Sequence, residues 1–434
     1  MKDVDAVIAG GGIAGSAAAA ALVGLGWSVM IVEPGQHDER RLAGELIHPA
    51  GVAGLAKLGL LETPAFAAAA RLGGFAIFPE PGMAGCVELP YRQSAVALAL
   101  DHTKICQGLL ATVAAMPRVT VERGWRVTGV SETINGSAVQ IRFGGVTETV
   151  CCRLVVAADG ASSPVRAFAG LPHRRTRNAV LTGYLVDHVA LPLAGLGHIF
   201  TAAGGPVLAY PIGNGRARVL FNRPLRRDSL VRLDTDPTTE ALPPRLRAAA
   251  EAAMAGRSGR RFVSSDVAVS GVARGHVVLT GDAAGTCHPI TASGMTMGLD
   301  DAVRLAGALR RRDGDVASAL ALYAAERRSR QRARVLLAAL MHDALGGAEP
   351  EMGMLRGALH RYWSGSACAR AASMALLAMD DVSVGSMLFE FARVVASGLL
   401  ASRGEPVSRL RRAALTARLS RPLMRHLVGA MRVQ

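Results

Sequence analysis

The hydrophobic pattern is densest at the start of the chain. From Val7 to Val32 nearly every residue is apolar or small, and the run closes on Glu33. Its length, on the order of 20 residues, would suit a membrane span. The glycine cluster inside it and the acid at its end point instead to a parallel strand-helix-strand unit buried on both faces, which also reads as continuous apolar sequence. The pattern predicts a strand over residues 5–9, a helix from Ser16 to about Leu25, and a second strand over 28–32. With the first strand so close to Met1 and no basic leader before it, the run does not read as a signal peptide.

The pattern then shortens. A polar stretch at 34–41 leads into 42–49 and a short helix at 50–60, ending near Gly59. Residues 75–78 and 86–89 read as strands around a turn at 79–82. Residues 95–115 have helical apolar spacing and carry Asp101, His102 and Lys104. Strands follow at 119–121 and 127–130, and 138–143 with 148–152 flank Gly144 and Gly145 as a hairpin. An apolar strand at 154–157 runs into Asp159 and Gly160, then into Ser162, Ser163 and Pro164, residues that start helices well. Residues 179–222 read as antiparallel strands with turns at 204–205 and 213–215. A polar connection at 234–244 leads into a helix at 243–255. Another apolar strand ends at Gly281 and Asp282, and a helix runs from about Gly294 to Arg312. Beyond Leu320 the pattern is almost wholly helical.

Three of these segments carry chemistry. Gly10, Gly12 and Gly15 form G-x-G-x-x-G between a strand and a helix, with Glu33 closing the next strand. That is the dinucleotide fingerprint in its required setting. Gly10 makes the tight turn, Gly12 lets a pyrophosphate approach, and Gly15 lets helix and strand pack closely. Ile13 and Ala14 lie within the fingerprint, just before the helix whose N-terminal N–H groups can face the phosphates. Glu33 can accept from a ribose, and Pro34 follows it. Asp159 and Asp282 each stand at the C-terminal edge of a strand, where open α/β sheets bind ligands. The helix start at 294–296, with Gly294 and Met295, offers N–H groups to an electron-rich cofactor edge. His288 reads as a loop-structuring residue beside Pro289 rather than an acid or base. We find no convincing catalytic triad, and no metal-ligand spacing.

Composition refines this. The chain has 434 residues, about three units of ~150. Its six cysteines lack metal spacing and read as reduced thiols of a cytosolic protein. A net charge of +15 suits nucleic acid, an anionic membrane, or simply an Arg-rich surface. No nucleic-acid recognition module accompanies it, so no nucleic-acid partner is expected. Arg327, Arg328, Arg330, Arg332 and Arg334 read as a dense basic patch. The tail sets Leu410, Leu415, Leu419, Leu423 and Leu427 among arginines, broken by Pro422. This basic amphipathic pattern fits a peripheral contact with an anionic membrane; a helix packed on its own domain with a solvated Arg face fits it too.

In this order and spacing, the three segments resemble the flavoprotein monooxygenases of the para-hydroxybenzoate hydroxylase fold. The resemblance runs from about Val4 to Ala308. Within that group the chain is most similar to squalene epoxidases. Arg41, Gly44 and Glu45 match their Arg-x-x-Gly-Glu. His48, Pro49, Ala50 and Gly51 continue the match, as do Leu58, Gly59 and Leu60. Residues 206–210 resemble a strand of their substrate domain. Gly281 and Asp282 through His288, Pro289, Gly294 and Met295 resemble their Gly-Asp motif. Departures are present: Lys104 stands where those enzymes carry a flavin-contacting Arg, Phe75 where their active-site Tyr is expected, and Ala292 and Ser293 precede Gly294 in place of a triple glycine. Their N-terminal membrane segment has no counterpart.

The resemblance implies an α/β protein with a Rossmann-type FAD-binding domain, an inserted sheet-rich substrate domain and a C-terminal helical region. The FAD domain takes 1–72, 95–178 and 263–325, the substrate domain 73–94 and 179–262, and the helical region 326–434. FAD is held by Gly10, Gly12, Ile13, Ala14, Gly15, Glu33, Pro34, Arg41, Lys104, Asp159, Asp282, Pro289, Gly294 and Met295. Phe75, Phe78, Leu208 and Tyr210 are the expected pocket residues. The implied reaction moves one oxygen atom of O2, through a flavin C4a-hydroperoxide, into a lipophilic, prenylated or terpenoid substrate, most simply by alkene epoxidation. Electrons come from NAD(P)H, directly or through a separate reductase. The expected location is the cytoplasm or the inner face of the membrane. Rivals are an aromatic or quinolone ring hydroxylase, a prenyl reductase, and a flavin-loaded binding protein without turnover. A flavin-dependent halogenase lacks support, since Trp27, Trp125 and Trp363 are far apart.

Overall fold

Two sheets organise the computed structural model, which describes residues 2–35, 42–79, 85–201, 205–225, 239–347 and 349–401, with 417, 418, 420 and 424. In the first sheet, β1 (Lys2–Ala9) lies between β2 (Val29–Glu33) and β11 (Val146–Ala157), both parallel to it. β8 (Val119–Arg123) extends one side, and β18 (Val277–Leu279) with β17 (Ala273–Arg274) the other. β9 (Arg126–Thr133) and β10 (Gly136–Phe143) join antiparallel through β11. The sequence pieces 148–152 and 154–157 are therefore one strand. Its first half closes the hairpin, and its second half carries Asp159 to the sheet's C-terminal edge.

Side-chain alternation divides the core. Ala6, Ile8, Leu154 and Val156 face α1 (Ile13–Val23), α3 (His102–Ala114) and α6 (Gly294–Arg311). Val7, Ala9, Val155 and Ala157 face the β9–β10 side. Helix α1 begins at Ile13 rather than Ser16, so the glycine turn runs straight into it. It is buried nearly all round, as its Ala-rich sequence allows.

The second sheet has the order β16 (Arg260–Val269), β12 (His173–Asp187), β15 (Arg216–Pro224), β14 (Val207–Pro211), β13 (Gly197–Phe200), β5 (Gly74–Phe78), β6 (Val87–Pro90). One face packs on α5 (Pro244–Ala255). The other packs on α7 (Val316–Gly346), α8 (Pro350–Gly365), α9 (Ala367–Leu377) and α10 (Val384–Ala401). Strands β12 and β16 carry this sheet to residues 173 and 269, past the expected boundaries at 178 and 263. A small sheet, β3 (Leu46–Ile47), β7 (Ala97–Ala99) and β4 (Ala70–Leu72), lies beside α2 (Pro49–Lys57), and α4 (Pro164–Phe168) follows the Asp159 turn.

Two expectations are corrected. Residues 95–115 are not one helix: β7 occupies 97–99, and Asp101 caps α3 by accepting from Thr103 N–H and Lys104 N–H. Local spacing could not show that β7 bridges β3 and β4. Nor do the arginines of α7 form one surface patch. Arg327 and Arg334 are buried, and Arg330 pairs with Asp300; only Arg328 and Arg332 face solvent. Among the described residues no helix is long and apolar enough to cross a membrane. The predicted turns at 79–82 and 204–205 and the first part of the 234–244 connection, 234–238, involve residues outside the described set, as does most of the amphipathic tail.

Candidate cofactor and substrate site

The three motifs meet where side chains are missing. A methyl group on Gly10 would sit 2.5 Å from Ala158 O, and one on Gly15 only 1.9 Å from Gly10 O. A methyl on Gly281 would meet Ala14 Cβ at 2.7 Å, and one on Gly298 the same atom at 3.2 Å. Backbone bonds lock the junction: Gly10 N–H to Val32 O at 2.9 Å, Ala158 N–H to Ala9 O at 2.8 Å, and Thr280 N–H to Ala157 O at 2.9 Å. Gly10 is left-handed at φ +98°, which a side chain resists.

Gly12 is different. A methyl there meets nothing within 4 Å, although the residue starts α1 at the sheet's C-terminal edge. No side chain caps that helix end. The Glu33 carboxylate, 7% exposed, turns onto the same loop and accepts from Gly11 N–H and Gly35 N–H. Open space beside a helix N-terminus, flanked by an acid at the end of β2, fits a dinucleotide pyrophosphate and its ribose.

Asp159 and Asp282 present two further carboxylates. Asp159 Oδ2 accepts from Val165 N–H at 3.0 Å, whereas Oδ1 is buried without a hydrogen-bond partner. Burial pushes this carboxyl up, against the opposing pull of Ser163, Val165 N–H and Arg166. Arg166 ties the Asp159 turn to the Gly-Asp turn by donating to Ala161 O and Ala283 O. Asp282 is exposed on the 3-10 turn Gly281–Ala284. Its Oδ1 lies 4.0 Å from where a side chain on Gly294 would start, at the N-terminus of α6. Met295 is buried and lies 3.7 Å from a methyl on Gly44. An orphaned buried oxygen, an open glycine and an exposed acid at a helix start fit FAD.

Other expected cofactor residues are less central. Pro34 is exposed at the end of β2, and Lys104 is exposed on the first turn of α3. Arg41 lies outside the described residues. Pro289 opens a 3-10 turn whose Ile290 N–H is accepted by His288 Nδ1, so His288 does structure this loop.

Of the four expected pocket residues, Phe75, Leu208 and Tyr210 share one face of the second sheet with Ile77 and Ile199. Phe78 alternates to the opposite face and stacks on Phe200 at 4.7 Å. The shared face carries a buried polar group. Arg218 donates from Nε to Glu45 Oε2 at 2.9 Å and from a terminal nitrogen to Oε1, and Tyr210 OH donates to the same carboxylate. His48 Nε2 lies 2.8 Å from Thr291 O. A carbonyl can only accept, so Nε2 carries the proton, and Nδ1 accepts from Tyr91 OH at 2.8 Å. Phe75 packs edge-on against Tyr91 at 6.4 Å. Arg218 and Tyr91 were not anticipated from sequence. Arg218 carried no local signal: its strand neighbours Ala217 and Val219 are buried on the α5 face, and its partner Glu45 lies far off in the chain.

Residues 3–338 match the family described as FAD binding domain. The chain is 26% identical to a squalene monooxygenase of Panax ginseng, over 70% of this chain and 58% of that protein. It is 27% identical to squalene epoxidase 3 of Arabidopsis thaliana, over 70% and 59%. It thus spans about three fifths of the length of these relatives. Among solved structures, PqsL of Pseudomonas aeruginosa, a probable FAD-dependent monooxygenase, superposes with a TM-score of 0.67 at 24% identity, over 80% of this chain and 98% of that one. Klebsiella pneumoniae HpxO complexed with FAD superposes with a TM-score of 0.72 at 24% identity, over 87% and 98%.

Proposed function

Because this chain belongs to the FAD-binding-domain family, we propose that it is an FAD-dependent monooxygenase that transfers one oxygen atom of O2 to a lipophilic substrate, by epoxidation of an alkene. We assign the FAD contacts to Gly10, Gly12, Ile13, Ala14, Gly15, Glu33, Asp159, Asp282, Pro289, Gly294 and Met295. We read the first sheet with its helices as the cofactor unit and the second sheet as the substrate unit. The bound flavin supplies the redox chemistry with O2. The chain's own groups hold it, keep water out and orient the substrate.

One observation carries the choice of epoxidation. The sheet face that carries the expected pocket is apolar, and the acid and base we find buried there are already engaged. Glu45 accepts from Arg218 and Tyr210, and His48 is held between Tyr91 and Thr291 O. Oxygen transfer to an alkene needs no proton removed from the substrate. Ring hydroxylation of a phenol gains from a base, and the groups that could serve are spent on each other. Electrons are assigned to NAD(P)H, directly or through a reductase, because one dinucleotide fingerprint is present. A peripheral membrane contact belongs to the same reading. It is supported by Phe389, 64% exposed on α10 beside Arg393.

The test is incubation of the FAD-loaded protein with a prenylated alkene, NADPH, a reductase and oxygen-18 gas. An epoxide carrying one labelled oxygen supports the reading. A saturated product formed without oxygen consumption replaces it with a prenyl reductase, and a labelled phenol replaces it with a ring hydroxylase.

A further inference from the structure

Beside the start of α6 lies a shallow crevice that, counted together with its opening to solvent, spans about 350 Å³. One wall is apolar, formed by Leu337 of α7, Leu376 and Leu377 of α9, and Met387 of α10. Ser293 and Arg334 line it as well. Arg334 is 7% exposed, so its cation has left water almost completely. Such a charge is normally paired, because an unpaired buried ion carries a large desolvation penalty.

Among the described residues Arg334 has no carboxylate within ion-pair distance. It donates from Nε to Ser293 Oγ at 3.0 Å and from a terminal nitrogen to Gln331 Oε1 at 3.4 Å. Both partners are neutral. Its other neighbour, the Cys287 thiol, is pushed up by burial and stays protonated at neutral pH. Asp381 also lines the crevice, but its carboxylate accepts from Ser383 N–H and forms no ion pair with Arg334. The other buried arginines differ. Arg218 has Glu45, Arg327 has Asp301, and Arg166 has two carbonyls with Asp159 close enough to act on its charge. Arg334 alone of these lines a crevice with only neutral hydrogen-bond partners.

We propose that Arg334 receives the anionic end of an amphiphilic ligand whose apolar body lies along Leu337, Leu376, Leu377 and Met387. The planar fork of a guanidinium suits a carboxylate, and the missing counter-charge is one negative group. The site adjoins Gly294, where a methyl would lie 3.9 Å from an Arg334 terminal nitrogen and 4.0 Å from Asp282 Oδ1. A ligand anchored there lies next to the N-terminus of α6. The inference rests on the proposed function for the lipophilic body and adds an acidic head group to the substrate class.

The experiment is isothermal titration of FAD-loaded full-length protein with oleate and with oleyl alcohol, each below its micelle concentration. Oleate is expected to bind about tenfold more tightly or better, the increment a charge-assisted pair gives in a desolvated site. Arg334→Gln is expected to bring the two ligands within about twofold, and Arg334→Lys to keep part of the preference. Leu377→Trp, which fills the crevice and leaves the cation, is expected to weaken both ligands. It also decides the matter if the Gln variant does not fold. Equal binding of acid and alcohol by the unaltered protein overturns the proposal, as does a Trp variant that binds both normally. So does an Arg334→Gln variant that keeps its preference for oleate but loses FAD affinity or shifts the flavin potential, since the anion would then be the cofactor's. A preference for oleate that depends on Arg334 supports the site even where no alkene stimulates oxygen uptake, so the two readings fail separately.

Discussion

Arg327 and Asp301 form an ion pair in which both side chains are 1% exposed, with Arg327 Nε 3.0 Å from Asp301 Oδ1. The pair is a clamp on backbone. Asp301 Oδ2 accepts from Gly281 N–H at 2.8 Å, and Arg327 donates to Ala284 O at 2.7 Å and Gly281 O at 3.3 Å. Together they hold the turn that presents Asp282. Two helices, α6 and α7, thereby fix a turn at the end of β18 that neither contains.

Breaking that pair on one side should be severe. Arg327→Met leaves Asp301 buried and unpaired, and should cost about 3–5 kcal/mol in urea unfolding. Losing Asp301's partner should also loosen the Gly281–Ala284 turn, so FAD should dissociate more readily from whatever protein folds. Replacing both partners with apolar residues should recover much of the stability but not the FAD affinity. Equal recovery of both would show that the pair serves packing alone.

The glycines separate fold from cofactor. Gly15→Ala would force a methyl to 1.9 Å from Gly10 O, so it should unfold the β1–α1 junction with or without FAD. Gly12→Ala meets nothing within 4 Å, so the FAD-free protein should melt within a degree or two of the parent. Its FAD dissociation constant should rise about tenfold or more, because the methyl occupies the approach to the helix N-terminus. Thermal melts of FAD-free protein and flavin fluorescence titrations read the two effects. A Gly12→Ala variant that binds FAD normally would place the pyrophosphate elsewhere.

How much of this was legible in the chain depends on the range of the interaction. The strand, glycine turn, helix and acid from Asp5 to Glu33 are a local unit, and sequence placed each within a few residues. So too with Asp159 and Asp282, because each follows an apolar strand at once. What sequence could not reach were pairings across many residues. Glu45 meets Arg218 and Asp301 meets Arg327 only because the sheets and helices bring them together. The same blindness made the α7 arginines read as a surface patch, since helical spacing shows a face but not what covers it. Phe78 was grouped with Phe75, although strand alternation by itself puts them on opposite faces.

The Glu45 group should behave as one unit. Arg218→Met strands a carboxylate that is 2% exposed, and should cost about 3–5 kcal/mol, measured by urea unfolding. Tyr210→Phe removes one of three donors and should cost about 1 kcal/mol. Gly183 lies against this group, where a methyl would meet Leu42 at 2.8 Å and Arg218 at 3.1 Å, so Gly183→Ala should also destabilise. A double-variant cycle for Glu45→Gln and Arg218→Met should show coupling of at least about 1 kcal/mol. Additive losses would mean that the two side chains do not support each other.

His48 makes the protein acid-sensitive. It is fully buried, and desolvation pushes its pKa down to about 4 from an ordinary 6.5. In the folded chain it therefore stays neutral where the unfolded chain's imidazole has already taken a proton. Between about pH 6.5 and pH 4 the unfolded state binds more protons, so stability must fall as pH falls through that window. The contribution is fully present above pH 6.5 and lost by about pH 4, amounting to about 3 kcal/mol at about 1.4 kcal/mol per pH unit. Protonation also turns Nδ1 into a donor facing Tyr91 OH, which donates to it in the neutral form. The Tyr91 hydroxyl must then rotate away inside a packed cluster with Phe75. His48→Gln should start less stable at pH 7, through weakened bonds to Thr291 O and Tyr91, but lose less stability on acidification. Urea midpoints from pH 7 to pH 4 compare the two slopes. Parallel slopes would mean that another buried group carries the acid sensitivity, and His48 would then be a packing residue only.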